Sequence, residues 1–110
     1  MIEPTTLARP YARAAFEHAR SSGELASWQA ALSELAAIST QPKVAAALRD
    51  PNQTAGQRAA TLAALAGEDS PEAVGNLLTI MSDNDRLSLL PEVAAIFEQL
   101  KQAIESTVTV

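Results

Sequence analysis

The sequence predicts an all-α fold, a six-helix bundle, on the basis of composition, helix boundaries and connection length. Of the 110 residues, 47% are apolar and only 4% are aromatic; alanine is over-used, whereas the β-branched residues that favour strands are sparse. Apolar residues recur at helical spacing in six segments, each bounded by residues that start or stop helices. Because every connection is short, the six helices are expected to pack as one bundle.

The first two helices are predicted on either side of Gly23. The first extends over about residues 6–22, with Pro10 in or just after its first turn, where a missing N–H costs little. Gly23 ends it, because glycine adopts the left-handed conformation cheaply. The second extends over about residues 24–39. Its apolar residues repeat at helical spacing and are Leu25, Trp28, Leu32, Leu35 and Ile38.

The third and fourth helices are predicted from a proline stop and a capping signal. The third extends over about residues 41–49 and is stopped by Pro51. In the fourth, Thr54 and Gln57 have the spacing of a capping box, and Gly67 ends the helix. The residues expected to be buried in these two helices are Val44, Leu48, Leu62 and Leu65.

The fifth and sixth helices complete the bundle. The fifth is predicted to begin with Ser70 as N-cap and Pro71 as first helical residue, and to end near Asn84. The sixth is predicted to begin at Ser88. It carries one apolar stripe, formed by Val93, Ile96, Phe97, Leu100 and Ile104.

The last five residues differ from the rest of the chain. Residues 106–110 alternate threonine and valine, which indicates a β-strand or an extended linker. The sequence contains no strand with which this segment could pair. We therefore expect residues 1–105 to form a six-helix N-terminal domain, and residues 106–110 to begin a linker or strand leading to an absent C-terminal region.

Two helices carry apolar arcs wider than one core contact needs. On the first helix, the side expected to face the core is formed by Ala8, Ala12, Ala15, Phe16 and Ala19. The side next to it is formed by Leu7, Tyr11, Ala14 and His18. On the fifth, Val74, Leu78 and Met81 form one strip, continued by Ala73, Leu77 and Ile80 and edged by Asn76 and Asn84. These arcs indicate either a groove for a partner's amphipathic helix or simply broad burial in a small bundle.

Several functional classes lack support in the sequence. There is no phosphate-binding or dinucleotide-binding glycine motif and no cysteine. His18 is the single histidine of the sequence, and its simplest interpretation is a polar residue on the flank of a helix. The pairs Glu68-Asp69 and Asp83/Asp85 lack the rest of a calcium loop and are interpreted as solvated helix ends. We predict no catalytic residues, no metal and no cofactor.

The net charge and the hydropathy of the chain limit the classes of partner that it is expected to bind. A net charge of −5 disfavours nucleic acid, which requires a basic surface. No apolar run approaches the roughly 18 residues that a bilayer span requires, and the N-terminus lacks the features of a signal peptide. A cytoplasmic or peripheral protein is predicted.

Four segments resemble one family. Leu7-Ala-Arg-Pro-Tyr-Ala-Arg-Ala-Ala-Phe16 is similar to the opening signature A-R-P-Y-A-x-A-x-F of F-type ATP synthase δ subunits and their mitochondrial oligomycin-sensitivity homologues. Asn76-Leu-Leu-Thr-Ile-Met81, Asn84-Asp-Arg-Leu87 and Leu90-Pro-Glu-Val93 resemble later motifs of the family, in the same order. Trp28 stands where bacterial members often carry tryptophan. Asp85 departs from the usual glycine, although aspartate tolerates the left-handed conformation better than most residues.

The resemblance implies a non-catalytic stator component of ATP synthase at the cytoplasmic face of the bacterial inner membrane, reaching the membrane only through the complex. It implies a six-helix N-terminal domain that binds the N-terminal helix of an F1 α subunit, and an absent C-terminal region that joins the b-subunit stalk. The site would lie between helices one and five. Carried over by position, its residues are Tyr11, Ala14, His18, Leu77, Ile80 and Asn84.

Other interpretations remain open at the level of sequence. Arg86 also matches a family position, but it is equally interpreted as a helix-end charge that pairs with Asp83 or Asp85. A generic helical adaptor would use the same groove for another amphipathic helix. A helix-turn-helix DNA binder would need a basic recognition helix, and the fourth helix has only Arg58.

Overall fold

The computed structural model describes residues 3–67 and 70–108, and within them the chain forms α-helices and no strand. The helices are α1 Pro4–Ser22, α2 Leu25–Ser39, α3 Pro42–Leu48, α4 Ala55–Leu65, α5 Glu72–Asp83 and α6 Leu90–Val108. A short 3-10 turn over Leu87–Leu89 leads into α6. The predicted all-α six-helix bundle is confirmed.

Helix α6 forms the centre of the bundle, because both α1 and α2 pack along it. The Phe97 ring of α6 lies edge-on to Phe16 of α1, at 5.6 Å between centroids, and stacks on Trp28 of α2 at 6.5 Å. Aromatic pairs of this kind add stability beyond the area that they bury. The cluster therefore ties three helices together. The apolar sides identified from the sequence supply much of the core, since six of their large residues are buried: Phe16, Trp28, Leu32, Leu78, Met81 and Phe97.

Helices α4 and α5 form a hairpin that packs beside this centre. The Ser82 hydroxyl donates a hydrogen bond of 2.6 Å to the carbonyl oxygen of Ala55, which fixes the end of α5 against the start of α4. The predicted capping box is present. The backbone N–H of Gln57 donates to Thr54 Oγ1, and the backbone N–H of Thr54 donates to the side-chain oxygen Oε1 of Gln57. Gly67 follows α4 with a φ of 90°, as expected for a glycine stop.

The turn between α1 and α2 also has the predicted chemistry. Gly23 has a φ of 72°, in the left-handed region that favours glycine. Its amide donates to the carbonyl of Arg20, and the amide of Glu24 donates to the carbonyl of Ala19 at 2.8 Å. These two bonds satisfy carbonyls in the last turn of α1 and close that helix.

The start of α1 lies two residues before the predicted position. Pro4 is the first helical residue, where its missing N–H has no intrahelical partner to lose. Pro10 consequently lies in the second turn of the helix, whereas the prediction placed it in the first turn or just after it. It has no N–H to donate to the Thr6 carbonyl, so α1 lacks one intrahelical hydrogen bond at that point.

The starts of α5 and α6 differ from the predictions as well. Pro71 is the N-cap of α5, with extended backbone, and its carbonyl accepts from the Val74 amide. The prediction of Ser70 as N-cap is wrong, because the Ser70 hydroxyl donates instead to the Gly67 carbonyl. The predicted start of the last helix at Ser88 falls in the 3-10 turn, and α6 itself begins at Leu90.

Two predictions about burial need correction. Leu65 is 43% exposed, because the buried face of α4 runs through Ala59, Leu62 and Ala66, and Leu65 lies about 100° from Ala66 around the helix. Val44 and Leu48 of α3 are only half-buried and pack against the edge of the core. The short α3 therefore covers the bundle without entering it.

The C-terminal segment is helical where it was expected to be extended. Helix α6 continues to Val108, so the prediction of a strand or linker is wrong for residues 106–108. The apolar stripe of α6 continues through the half-buried Leu100 and Ile104, and threonine and valine cost a helix well under about 1 kcal/mol each. Thr109 and Val110 lie outside the described residues. The division into a domain ending at residue 105 and a following region stays a prediction.

Candidate partner-binding surface

The two predicted sides of α1 are distinct in the structure. The core side is buried along the whole helix and consists of Ala8, Ala12, Ala15, Phe16 and Ala19. On the adjoining side, Leu7 and Tyr11 are half-buried, whereas Ala14 and His18 are exposed. Alanines on the core side let α6 approach closely. The adjoining side is therefore left partly uncovered by the rest of the domain.

A hydrogen bond joins this side of α1 to the end of α5. The Asn84 side-chain amide donates to the phenolic oxygen of Tyr11 at 3.1 Å, on the solvent-exposed surface. Tyr11 thus contributes an apolar ring and a polar tip at the point where α1 and α5 meet. Two of the six predicted site residues are in direct contact.

Helix α5 contributes two apolar side chains of different exposure. Ile80 is 52% exposed, one of the two large hydrophobic residues most open to solvent among those described. Leu77 is only 7% exposed and belongs to the core. Ile80 therefore has apolar area available for a partner, whereas Leu77 packs in the core and has little area that a partner could contact.

The His18 side chain contacts Trp28 of helix α2. The imidazole ring stands edge-on to the Trp28 ring, with centroids 5.8 Å apart and planes at 65°. The indole itself is buried. The imidazole therefore lies over the aromatic cluster, and its described ring contact is with α2, not with α5.

The residues after α5 form a tight turn in which Asp85 has the expected left-handed backbone, with a φ of 57°. The Asp85 amide donates to the carbonyl of Ser82, and the Arg86 amide donates to the carbonyl of Met81 at 2.7 Å. Within the described residues, Arg86 pairs with neither Asp83 nor Asp85. The Asp85 carboxylate lies instead 3.9 Å from Arg58 of α4, so the ion pair suggested for Arg86 is wrong.

Sequence reasoning did not foresee the contacts Tyr11–Asn84, His18–Trp28 and Arg58–Asp85. Each joins residues of different helices, and the relative rotation of helices leaves no local signal in the sequence. The described residues hold no cluster of three histidine, aspartate or glutamate side chains that could bind a metal ion. None of their helices is both long and apolar enough to cross a membrane.

Comparison with known proteins identifies the family. The family model of the ATP synthase delta (OSCP) subunit matches residues 7–110. The chain belongs to this family. Its opening segment on α1 and the later segments from α5 to α6, singled out above, all lie within the match.

Individual delta subunits match over nearly the whole chain. The ATP synthase subunit delta of Teredinibacter turnerae is 48% identical over 110 residues, covering 100% of this chain and 62% of the relative. That of Acinetobacter baumannii strain SDF is 44% identical over 110 residues, with the same coverage. That of Hahella chejuensis is 44% identical over 108 residues, covering 98% and 61%. The delta-family chain thus spans about three fifths of the length of these relatives.

Proposed function

We propose that this domain is a non-catalytic stator component of F-type ATP synthase, and that the surface between α1 and α5 binds the N-terminal helix of an F1 α subunit. The observation that carries the proposal is the junction at Tyr11 and Asn84, flanked by the exposed Ala14 and Ile80. Membership of the delta family supports the stator role.

The chemistry of this surface suits an amphipathic helix. Ala14 carries only a methyl group, so a partner helix can approach the backbone of α1 closely. Ile80 supplies apolar area from α5. The Tyr11 hydroxyl and the Asn84 amide supply polar groups beside that area, which can fix the register of a bound helix. The proposed site also includes Leu77, which is buried beneath the surface, and His18, which lies on the side of α1 that faces α2.

The mechanical role in this proposal is resistance to torque. Rotation of the central shaft of an ATP synthase drags on the catalytic subunits, and a stator must hold them without chemistry of its own. A helix held in an apolar groove distributes the load over many packing contacts, each of which is individually weak. Attachment to the b-subunit stalk belongs to the same proposal and is assigned to a C-terminal region outside this sequence. The domain acts peripherally at the cytoplasmic face of the inner membrane.

Calorimetric titration with a synthetic peptide of the α-subunit N-terminus tests the proposal. The matched control is a peptide of the same composition whose apolar residues no longer repeat at helical spacing. We expect saturable one-to-one binding of the α peptide and none of the control. Equal binding of an unrelated amphipathic helix would favour the generic adaptor, and absence of binding would contradict the proposed site.

The helix-turn-helix alternative gains no support from α4. Its one basic residue, Arg58, donates through Nη2 to the Asp50 carbonyl at 2.8 Å and lies near the Asp85 carboxylate. A recognition helix needs several basic or polar side chains that face the groove, and α4 carries this single cation.

A further inference from the structure

One cavity of the domain is lined by residues other than those of the proposed α1–α5 site. This cavity of about 330 Å³ opens where the end of α2, α3, the start of α4 and the turn after α5 converge. Its lining includes two arginines, one aspartate and two leucines, which are Arg49, Arg58, Asp85, Leu48 and Leu87. Its volume is at the lower end of the range of small-molecule sites, about 300–1,000 Å³.

Arg58 is incompletely paired within the domain. Its Nη2 donates to the backbone carbonyl of Asp50, and its Nε is buried without a hydrogen-bond partner. Its Nη1 lies 3.9 Å from the Asp85 carboxylate, beyond hydrogen-bond distance, and that carboxylate is 94% exposed to solvent. Since a solvated carboxylate at that distance interacts weakly, Asp85 neutralises Arg58 only in part.

Arg49 adds a second guanidinium to the same cavity. Its Nε donates to the Ala45 carbonyl within α3 at 3.3 Å, and it forms no ion pair with any residue that the structure describes. The cavity lining therefore holds two guanidinium groups against the single Asp85 carboxylate, although the chain carries a net charge of −5. Arginine binds carboxylates preferentially, because its planar set of donors matches the two carboxylate oxygens.

The rest of the lining combines serine hydroxyls and the Asp85 carboxylate with apolar side chains. Leu87 of the 3-10 turn is buried, and Leu48 and Ala45 of α3 are half-buried. We propose that this cavity binds a small amphiphilic monocarboxylate, with the carboxylate held by Arg49 and Arg58 and the apolar body against Leu48 and Leu87. The cavity shares no lining residue with the six residues of the proposed α1–α5 site, and its ligand requires both the charge and the apolar part.

Titration of the domain with octanoate, followed by methyl NMR of Leu48 and Leu87, tests the proposal. We expect saturable shifts of both leucines. Octanol, which lacks the charge, and a blocked glutamate, which carries the carboxylate of a protein side chain on a short stem, should each bind at least about tenfold more weakly. Equal affinity of octanol or of blocked glutamate, or no saturable shift at millimolar octanoate, would overturn the assignment.

Three variants locate the site. Arg49→Gln should weaken octanoate binding by about tenfold or more, because it removes a charge-assisted hydrogen bond from an exposed residue that the fold does not need. Arg13→Gln, on the outer face of α1, makes the same change in net charge and should alter affinity by less than about twofold. Asp85→Asn, which keeps a residue suited to its left-handed backbone, should tighten binding by about threefold by removing the competing carboxylate. Equal loss in the two arginine variants would show a non-specific charge effect and overturn the proposal.

Discussion

The Asn84 amide and the Tyr11 hydroxyl meet at 3.1 Å, although 73 positions separate them in the chain. Asn84 directly follows α5, and Tyr11 lies in the first half of α1. The bond links two helices that otherwise share little contact area. It also places one donor and one acceptor group near the exposed Ile80, where we propose that a partner helix binds.

The first prediction concerns the strength of this bond. A double-mutant cycle with Tyr11→Phe and Asn84→Ala should give a coupling energy of about 0.5 kcal/mol in urea unfolding, because the pair is exposed and competes with water. Each single variant should change the free energy of unfolding by less than about 1 kcal/mol. A coupling energy above about 2 kcal/mol would mean that the bond is a main support of the bundle, contrary to its exposure.

The second prediction concerns the aromatic cluster. Phe97→Ala should lower the free energy of unfolding by about 3–5 kcal/mol, since Phe97 is fully buried and contacts both Phe16 and Trp28. Ile80→Ala removes a large side chain from the exposed surface and should cost less than about 1 kcal/mol. Thermal and urea unfolding of the two variants would compare them. Similar losses would contradict the placement of the core around α6.

The third prediction concerns the turn after α5. Asp85→Gly should stabilise the domain by about 0.5–1 kcal/mol, because glycine removes the strain of a φ of 57°. The variant also loses the Asp85–Arg58 ion pair, but this should lower the gain in the free energy of unfolding only slightly, because the pair is long and the Asp85 carboxylate is exposed. Asp85→Val should destabilise, since a β-branched residue fits this conformation poorly. If valine proves as stable as glycine in urea unfolding, the left-handed turn is not present in solution.

Much of the fold follows from local sequence signals. The spacing of alanines on α1 identifies its buried side, Thr54 and Gln57 identify the start of α4, and Gly23 identifies a helix end, because each signal acts within one turn of helix. Asp85 was expected to be left-handed from the family position that it occupies, and the structure confirms it.

Other features depend on competition that the local signals do not resolve. At Ser70, the hydroxyl bonds to the preceding turn, so Pro71 becomes the cap. At residues 106–108, continuation of a packed helix outweighs the weak strand preference of threonine and valine. For the candidate site, periodicity separated the two apolar sides of α1 but left open whether the second side is buried, and the meeting of Tyr11 with Asn84 depends on how two helices are rotated in the bundle.

The proposed surface makes an opposite prediction for two neighbouring alanines of α1. Ala14 is exposed and lies beside Tyr11 and His18, whereas Ala12 is fully buried in the core. A carboxylate at position 14 stays hydrated in the free domain, but it would lose that hydration beneath a bound apolar helix. A carboxylate at position 12 would be buried in the free domain itself, at a cost of several kcal/mol, so Ala12→Asp should damage folding in circular dichroism.

The most direct measurement is calorimetry of the α-subunit N-terminal peptide against Ala14→Asp, with circular dichroism of the variant alongside. We predict a native helical spectrum and a loss of about a thousandfold in affinity, which corresponds to about 4 kcal/mol of uncompensated charge burial. Binding of the peptide to Ala14→Asp with the affinity of the parent domain would show that the partner helix does not cover this side of α1, and would contradict the account.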